Sequence, residues 1–405
     1  MLCLSWCTLW PMTARTSLSA EIHPGGYHLR PHLNGTVPLP LFLLPALLLV
    51  CGCLSQTRLA YRPGGSAAVR SPSIQTCGLP LADGVLAVEN GETAWGHRIL
   101  HLYGASLHLR GSADQPEAVA YLSPRAGPKP WVVVLPIWGA SDYPPKKTIR
   151  WLLKGRGGGR MNILWVTNSG RILHFEGLLD APTPEKFSRA LTLAAREVNA
   201  TADRVETLVE WVRQRPDTDP ARIGIVGFSI GAIVASLVVG RDPGYAAAVF
   251  AMGGGGLGEV LASCYGRERL VRDEVTARFG WSREEYAERV EAGLAFIDPL
   301  FVAGRVDPAT VLYFDARHDE CIPPVSREAL WEAMGRPERI TIGYGHKSSF
   351  LSMTFLGHNR MTREIVRFLR LRLLEPPRRP PTPDTVLKRP VPEQERPGGL
   401  GRLSP

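Results

Sequence analysis

Ala221-Arg-Ile-Gly-Ile-Val-Gly-Phe-Ser-Ile-Gly-Ala232 decides the reading of this chain. The mostly β-branched run Ile223–Val226 predicts a buried strand, and the small and apolar residues Ala232 to Leu237 predict a buried helix. Between them Gly227-Phe-Ser229-Ile-Gly231 predicts a very tight turn with Ser229 at its tip. Glycines two before and two after the serine leave room for the strand and helix backbones to pass close together. The five-residue pattern is common by chance, but here its flanks have the strand and helix character that gives it meaning.

Working outward, the same alternation continues on both sides. Trp131-Val-Val-Val-Leu135 is a continuous apolar strand that ends in the turn Pro136-Ile-Trp-Gly139. Burial on two faces, as such a run implies, is typical of a mostly parallel sheet. Met161–Val166 is a further strand, and the glycine run before it, Gly155–Arg160, lacks the Lys-Ser/Thr of a phosphate loop and reads as a connection. Thr183-Pro184-Glu185 starts a helix with an N-cap and a proline at the first helical position. Its stripe Val205, Leu208, Val209, Val212 follows helical spacing. Strands follow at Ala246–Ala251, Thr310–Phe314 and Arg339–Ile342, then an amphipathic helix through Met361, Ile365, Phe368, Leu369 and Leu373. Strands alternating with helices predict an α/β fold: a mostly parallel central sheet flanked by helices. Earlier runs, Arg98–Tyr103 and Ser106–Leu109, read as short strands.

Residues 253–305 break the rhythm. Two helices are expected there, at 267–279 and 283–296, the second opened by the capping box Ser282-Arg-Glu-Glu285. The segment is too long for a crossover, so a helical, lid-like insertion is expected. The competing reading is a helical pair on the surface with no contact to substrate.

Both ends differ from the middle. Val37–Val50 is an apolar run shorter than the ~20 residues of a spanning helix and suits the core of a secretory signal. It runs into Val50-Cys51-Gly52-Cys53, which resembles a bacterial lipobox. Residues 1–55 are therefore expected to be an export segment, with Cys53 lipid-modified and tethering the chain to a membrane surface; an ordinary cleaved signal peptide or a short membrane anchor is the competing reading. The globular domain spans 56–374, and the Pro- and Arg-rich stretch 375–405 is expected to be disordered. The net charge of +9 is spread along the chain without a basic helix or interleaved aromatics, which argues against a nucleic-acid partner. Cys77, Cys264 and Cys321 show no metal-type spacing, and no metal is expected. An oxidising compartment would allow one disulfide among Cys77, Cys264 and Cys321, and the sequence does not pair them.

A serine hydroxyl needs a general base, and the base needs an orienting carboxylate. Two histidines lie beyond the last strands. His346, in Gly343-Tyr-Gly-His346, follows Ile342 at a strand end, where catalytic groups of open α/β sheets collect; His358 lies on the approach to the final helix. Position favours His346. Candidate acids are Asp315, Asp319 and Glu320. Asp319, on the loop Arg317–Pro324, is favoured over Asp315, which falls within the strand. An oxyanion would need backbone donors: Ile230, directly after the serine, and Ile137 or Trp138, because Pro136 has no N–H.

The run Asp203–Ala232, the stretch Asp319-Glu-Cys-Ile-Pro-Pro324 and Gly345-His346 together resemble the α/β-hydrolase superfamily, nearest its dienelactone hydrolase, acetyl esterase and peptidase-like branches. The resemblance covers roughly 115–374. It implies a Ser229–Asp319–His346 triad, an acyl-serine intermediate and no cofactor. Many members carry His-Gly where this chain has Pro136-Ile-Trp-Gly139. The expected activity is cleavage of small carboxylic esters outside the cytoplasm. Acyl-CoA thioesterase or acyltransferase, peptidase, and a non-catalytic tethered binding protein are the alternatives.

Overall fold

Uncharged aliphatic runs form the centre of the sheet because both of their faces are covered. The computed structural model describes residues 85–104, 116–139, 141–155, 158–167, 172–173, 175–355 and 360–375. Of the chain's two units, Met1–Arg58 and Leu59–Pro405, all of these belong to the second. The 1–55 segment with Cys53, the run Ser106–Leu109, His358 and the tail beyond Glu375 lie outside the described residues.

The described strands are β1 (Val85–Ala94), β2 (His97–Gly104), β3 (Ala118–Leu122), β4 (Lys129–Val134), β5 (Asn162–Val166), β6 (Thr218–Phe228), β7 (Ala247–Ala251), β8 (Val311–Ala316) and β9 (Glu338–Ile342). They form one sheet in the order β1-β2-β3-β5-β4-β6-β7-β8-β9. The first three strands and the β3–β5 pair are antiparallel; from β5 to β9 every pair is parallel. The central register sets Trp131 beside Ile223 and Val134 beside Val226, so the apolar runs of β4 and β6 lie side by side.

Helices cover both faces. On one lie α1 (Tyr143–Lys154) and α11 (Arg360–Leu374), whose Leu373 and Leu369 side chains would stand 3.1 and 3.3 Å from a Cβ placed on Gly224. On the other lie α2 (Phe175–Leu179), α3 (Pro184–Arg213) and α4 (Ile230–Arg241). The Thr183 hydroxyl caps α3 by accepting from the Lys186 N–H at 3.3 Å, and Val205, Leu208, Val209 and Val212 form its buried stripe. Helix α4 is apolar all round and almost wholly buried, which is what such a helix needs.

Between β7 and β8 the described residues contain α5 (Leu257–Ser263), α6 (Arg267–Phe279), α7 (Arg283–Leu294) and α8 (Leu300–Ala303). Two of these, α6 and α7, stand where periodicity put them, and α7 ends two residues early because 295–297 tighten into a 3₁₀ turn. The short α5 and α8 gave too few residues for a period to emerge. Ser282 caps α7 through the Glu285 N–H at 3.1 Å. Asp298 and Glu291 accept from the first N–H groups of α5, Leu257 at 2.9 Å and Gly258 at 2.7 Å. Phe187 of α3 packs edge-on against Trp281 (5.7 Å between centroids) and tilted against Tyr286 (6.0 Å). The segment is therefore fastened to α3 by a shared aromatic core.

Helix α9 (Pro324–Ala333) follows β8. The buried Asp315 of β8 is an ion-pair residue: Arg339 of β9 bonds it and also reaches Glu328 of α9 at 2.8 Å, while Arg327 lies 3.7 Å away. Arg339→Met is expected to destabilise the fold by about 3 kcal/mol, since it strips the main partner from a buried charge. Chemical denaturation at neutral pH would measure it.

Candidate active site

The turn after β6 is built by exclusion of volume. Ser229 has φ 53° and ψ −123°, a conformation that non-glycine residues rarely adopt and that costs of order 1–3 kcal/mol. It is held by the Ser229 N–H donating to the Ala251 carbonyl at 2.8 Å, and by the Ser229 carbonyl accepting from the Ala232 N–H at 2.8 Å. A Cβ on Gly227 would lie 2.1 Å from the Gly231 carbonyl oxygen, and one on Gly231 would lie 2.4 Å from the Pro136 carbonyl oxygen. The strand, the helix and the 136–139 turn meet with no room for a side chain at either glycine.

The C-terminal ends of β8 and β9 bring two more groups to Ser229. His346 opens α10 (His346–Phe355) directly after β9, and Asp319 sits on the loop after β8. The Ser229 Oγ lies 2.8 Å from His346 Nε2. On the other side of the ring, Nδ1 lies 2.9 Å and 3.0 Å from the two Asp319 oxygens. A carboxylate only accepts, so the Nδ1 hydrogen faces Asp319 and the Nε2 lone pair faces the serine hydroxyl. Asp319 is itself gripped by the loop: its Oδ1 accepts from the N–H groups of Cys321 at 2.9 Å and Ile322 at 2.7 Å. The Asp319 carboxylate is fully shielded and the His346 side chain is 8% exposed, so the hydrogen bonds are made out of water's competition. Phe350, one turn along α10, meets the His346 ring edge-on at 5.4 Å and Phe228 at 6.3 Å.

The loops after β8 and β9 are tied together. The His318 N–H donates to the Tyr344 carbonyl at 3.1 Å and the Arg317 N–H to the Ile342 carbonyl at 2.7 Å. The Glu320 carboxylate accepts from the His346 backbone N–H at 2.9 Å. This bond escaped the sequence reading, since an acid beside another acid gives no spacing that marks it. Ile230 is the first residue of α4, Ile137 is buried, and both Ile137 and Trp138 stand on the turn whose Pro136 carbonyl crowds Gly231.

The insertion reaches this site through its root. Cys264 and Cys321 form a disulfide. Burial pushes the Tyr265 phenol well above its ordinary range, with the Glu320, Asp319 and Glu268 carboxylates adding to it. Burial also pushes the Glu268 carboxyl up, while the His346 ring, Lys347 and Arg267 act against it. A carboxyl raised by folding stabilises the protein below the ordinary carboxyl range, and that stability is lost as pH rises through its own higher value. Glu268→Gln is thus expected to raise the melting temperature at pH 8 and to leave it unchanged near pH 4. Thermal melts at the two pH values test this.

Among the described residues no cluster of His, Cys, Asp and Glu could hold a metal ion, and no helix is long and apolar enough to cross a membrane.

Residues 176–264, which carry α3, β6, the serine turn, α4 and β7, match the dienelactone hydrolase family. This stretch of a hydrolase family thus falls on the part of the α/β fold that carries the serine turn. No curated protein matches the chain. Solved structures similar to it include the acetyl xylan esterase from Paenibacillus sp. R4, with 17% identity, coverage of 70% of this chain and 87% of that one, and a TM-score of 0.49. Acetyl xylan esterase 1 from Thermoanaerobacterium sp. JW/SL YS485 has 16% identity, the same coverages and a TM-score of 0.46. An S-formylglutathione hydrolase from Agrobacterium tumefaciens has 15% identity, coverage of 70% of this chain and 98% of that one, and a TM-score of 0.43.

Proposed function

We propose that this α/β-hydrolase cleaves small carboxylic esters through an acyl-serine intermediate on Ser229. The reading is carried by one observation, the unbroken relay from the Ser229 Oγ to His346 Nε2 at 2.8 Å and from His346 Nδ1 to Asp319 at 2.9 Å. In this mechanism the Oγ attacks the ester carbonyl carbon while Nε2 takes its proton, and Asp319 stabilises the imidazolium without being protonated. The tetrahedral oxyanion is met by the N–H of Ile230 and that of Ile137 or Trp138, a stabilisation for which each donor is worth about 3–4 kcal/mol. Collapse breaks the bond to the alcohol oxygen, which leaves with the proton from Nε2. Water then attacks the acyl carbon, gives its proton to Nε2, and the acid departs as the Oγ recovers that proton. Every atom is supplied by the ester, water and these side chains, so the scheme calls for no cofactor.

The setting proposed for this reaction is outside the cytoplasm, with the chain held at a membrane surface through a lipid on Cys53. The Cys264–Cys321 disulfide supports an oxidising compartment. Purified full-length protein incubated with a fluorophosphonate probe and short p-nitrophenyl esters tests the chemistry: labelling mapped to Ser229 together with ester turnover is expected, and neither occurring would refute it. Palmitate incorporation that disappears in Cys53→Ala is the expected result for the anchor; incorporation that survives would exclude lipidation at Cys53.

A further inference from the structure

The root of the insertion touches both loops that carry the groups behind Ser229, and it does so at the residues beside those groups. Cys264, at the C-terminal end of α5, is bonded to Cys321, two residues after Asp319. Cys321 is more than a covalent anchor, because its own backbone N–H holds the Asp319 carboxylate at 2.9 Å. The next residue of the insertion, Tyr265, meets the residue after His346: the Lys347 ammonium lies 4.0 Å from the centre of the Tyr265 ring. Both cysteines are buried. Two adjacent residues of one segment thus grip the acid loop by a covalent bond and the histidine loop by a cation–π contact.

We propose that Cys264-Tyr265 is a brace whose disulfide and aromatic ring set the spacing between Asp319 and His346, which makes Cys321, Cys264 and Tyr265 positioning residues for the reaction. The inference rests on the assignment of Ser229, His346 and Asp319 above. Its physical basis is the steepness of the geometry: an Asp319 carboxylate displaced by about 1 Å no longer holds the ring against the serine, and misplacement on that scale costs on the order of 10²-fold in rate. The 57-residue span closed by the disulfide would otherwise leave the two loops joined to the insertion only through weaker contacts. The brace also divides the insertion. Its root is fastened, whereas α6 is bounded by Gly266 at φ 87° and Gly280 at φ 70°, two positions where only glycine turns freely.

The test uses the full-length protein and compares its oxidised and reduced forms. Dithiothreitol breaks the Cys264–Cys321 bond by giving up two electrons and two protons; the protein gains two thiols and the reagent closes to its cyclic disulfide. Reduction is verified by the mass of the alkylated protein. In the oxidised form, fluorophosphonate labelling of Ser229 is expected. In the reduced form kcat and the maximal labelling rate are expected to fall at least ten-fold with KM changed less than two-fold, and to return on reoxidation. Cys264→Ala/Cys321→Ala should show the same low kcat and no response to dithiothreitol. Tyr265→Ala, which leaves the disulfide in place, should lower kcat about five-fold, and Tyr265→Phe should restore part of it by returning the ring beneath Lys347. A disulfide with a purely scaffolding role would lower the melting temperature and leave kcat of the folded protein untouched. Unchanged kcat in verified reduced protein and in Tyr265→Ala would overturn the brace. An oxidised wild type that the probe fails to label would instead overturn the serine-hydrolase reading, so the two failures are distinct.

Discussion

His346→Ala is expected to lower kcat for p-nitrophenyl esters by roughly 10⁴- to 10⁶-fold while the protein stays folded. The size follows from what the ring does in the arrangement described. The serine hydroxyl has one strong acceptor within reach, Nε2 at 2.8 Å, and without it the hydroxyl must lose its proton to water. Binding and any oxyanion stabilisation survive, which leaves a residual rate well above that of the uncatalysed reaction. Asp319 keeps its bonds from the Cys321 and Ile322 N–H groups when the ring is lost, so the fold survives with a modest loss of stability. The measurement is paired: steady-state kinetics for the rate and circular dichroism for the fold. Full activity in folded His346→Ala would sink the assignment of the base and, with it, the relay through Asp319.

Gly231→Ala is expected to destabilise the fold by about 3 kcal/mol, because one added methyl group meets backbone on a neighbouring turn rather than a side chain that can swing aside. The Pro136 carbonyl oxygen would stand 2.4 Å from the new Cβ. At Gly227 the obstruction is the Gly231 carbonyl at 2.1 Å, so the two glycines obstruct the same junction from opposite sides. For a domain of this size such a loss lowers the melting point by about 5 °C. Differential scanning calorimetry would read it. A variant melting within 2 °C of wild type would show that the 136–139 turn yields, and the crowding would then have no structural force.

The parts of the fold that sequence displays are those with a local cause. The strand β6 and helix α4 announce themselves because burial demands an unbroken apolar composition, and α3 and α7 because Thr183 and Ser282 cap them with bonds made three residues away. Asp319 and His346 are visible as candidates because each follows a strand, and strand ends share one edge of a parallel sheet. What stayed hidden depends on where distant backbones come to rest. Nothing in the spacing of Cys264 and Cys321, 57 residues apart, distinguishes that pairing from one with Cys77. Glu320 reads as a loop charge until the His346 N–H is seen 2.9 Å from it. Asp315 offered the reverse difficulty: a buried acid next to the right loop, whose carboxylate is consumed by Arg339 and Arg327.

The order of the strands carries a consequence for the timing of synthesis. Ser229 is 117 residues ahead of the histidine it bonds, and that histidine follows β9, the edge strand and the last to be added to the sheet. At about 5–20 residues per second, the ribosome completes β6 and the serine turn roughly 6–23 s before His346 is even added to the chain. Through that interval the nascent polypeptide holds a strained serine with no base beside it. The three groups are therefore brought together late, and a chain truncated before residue 346 lacks both the histidine and α11, which covers one face of the sheet.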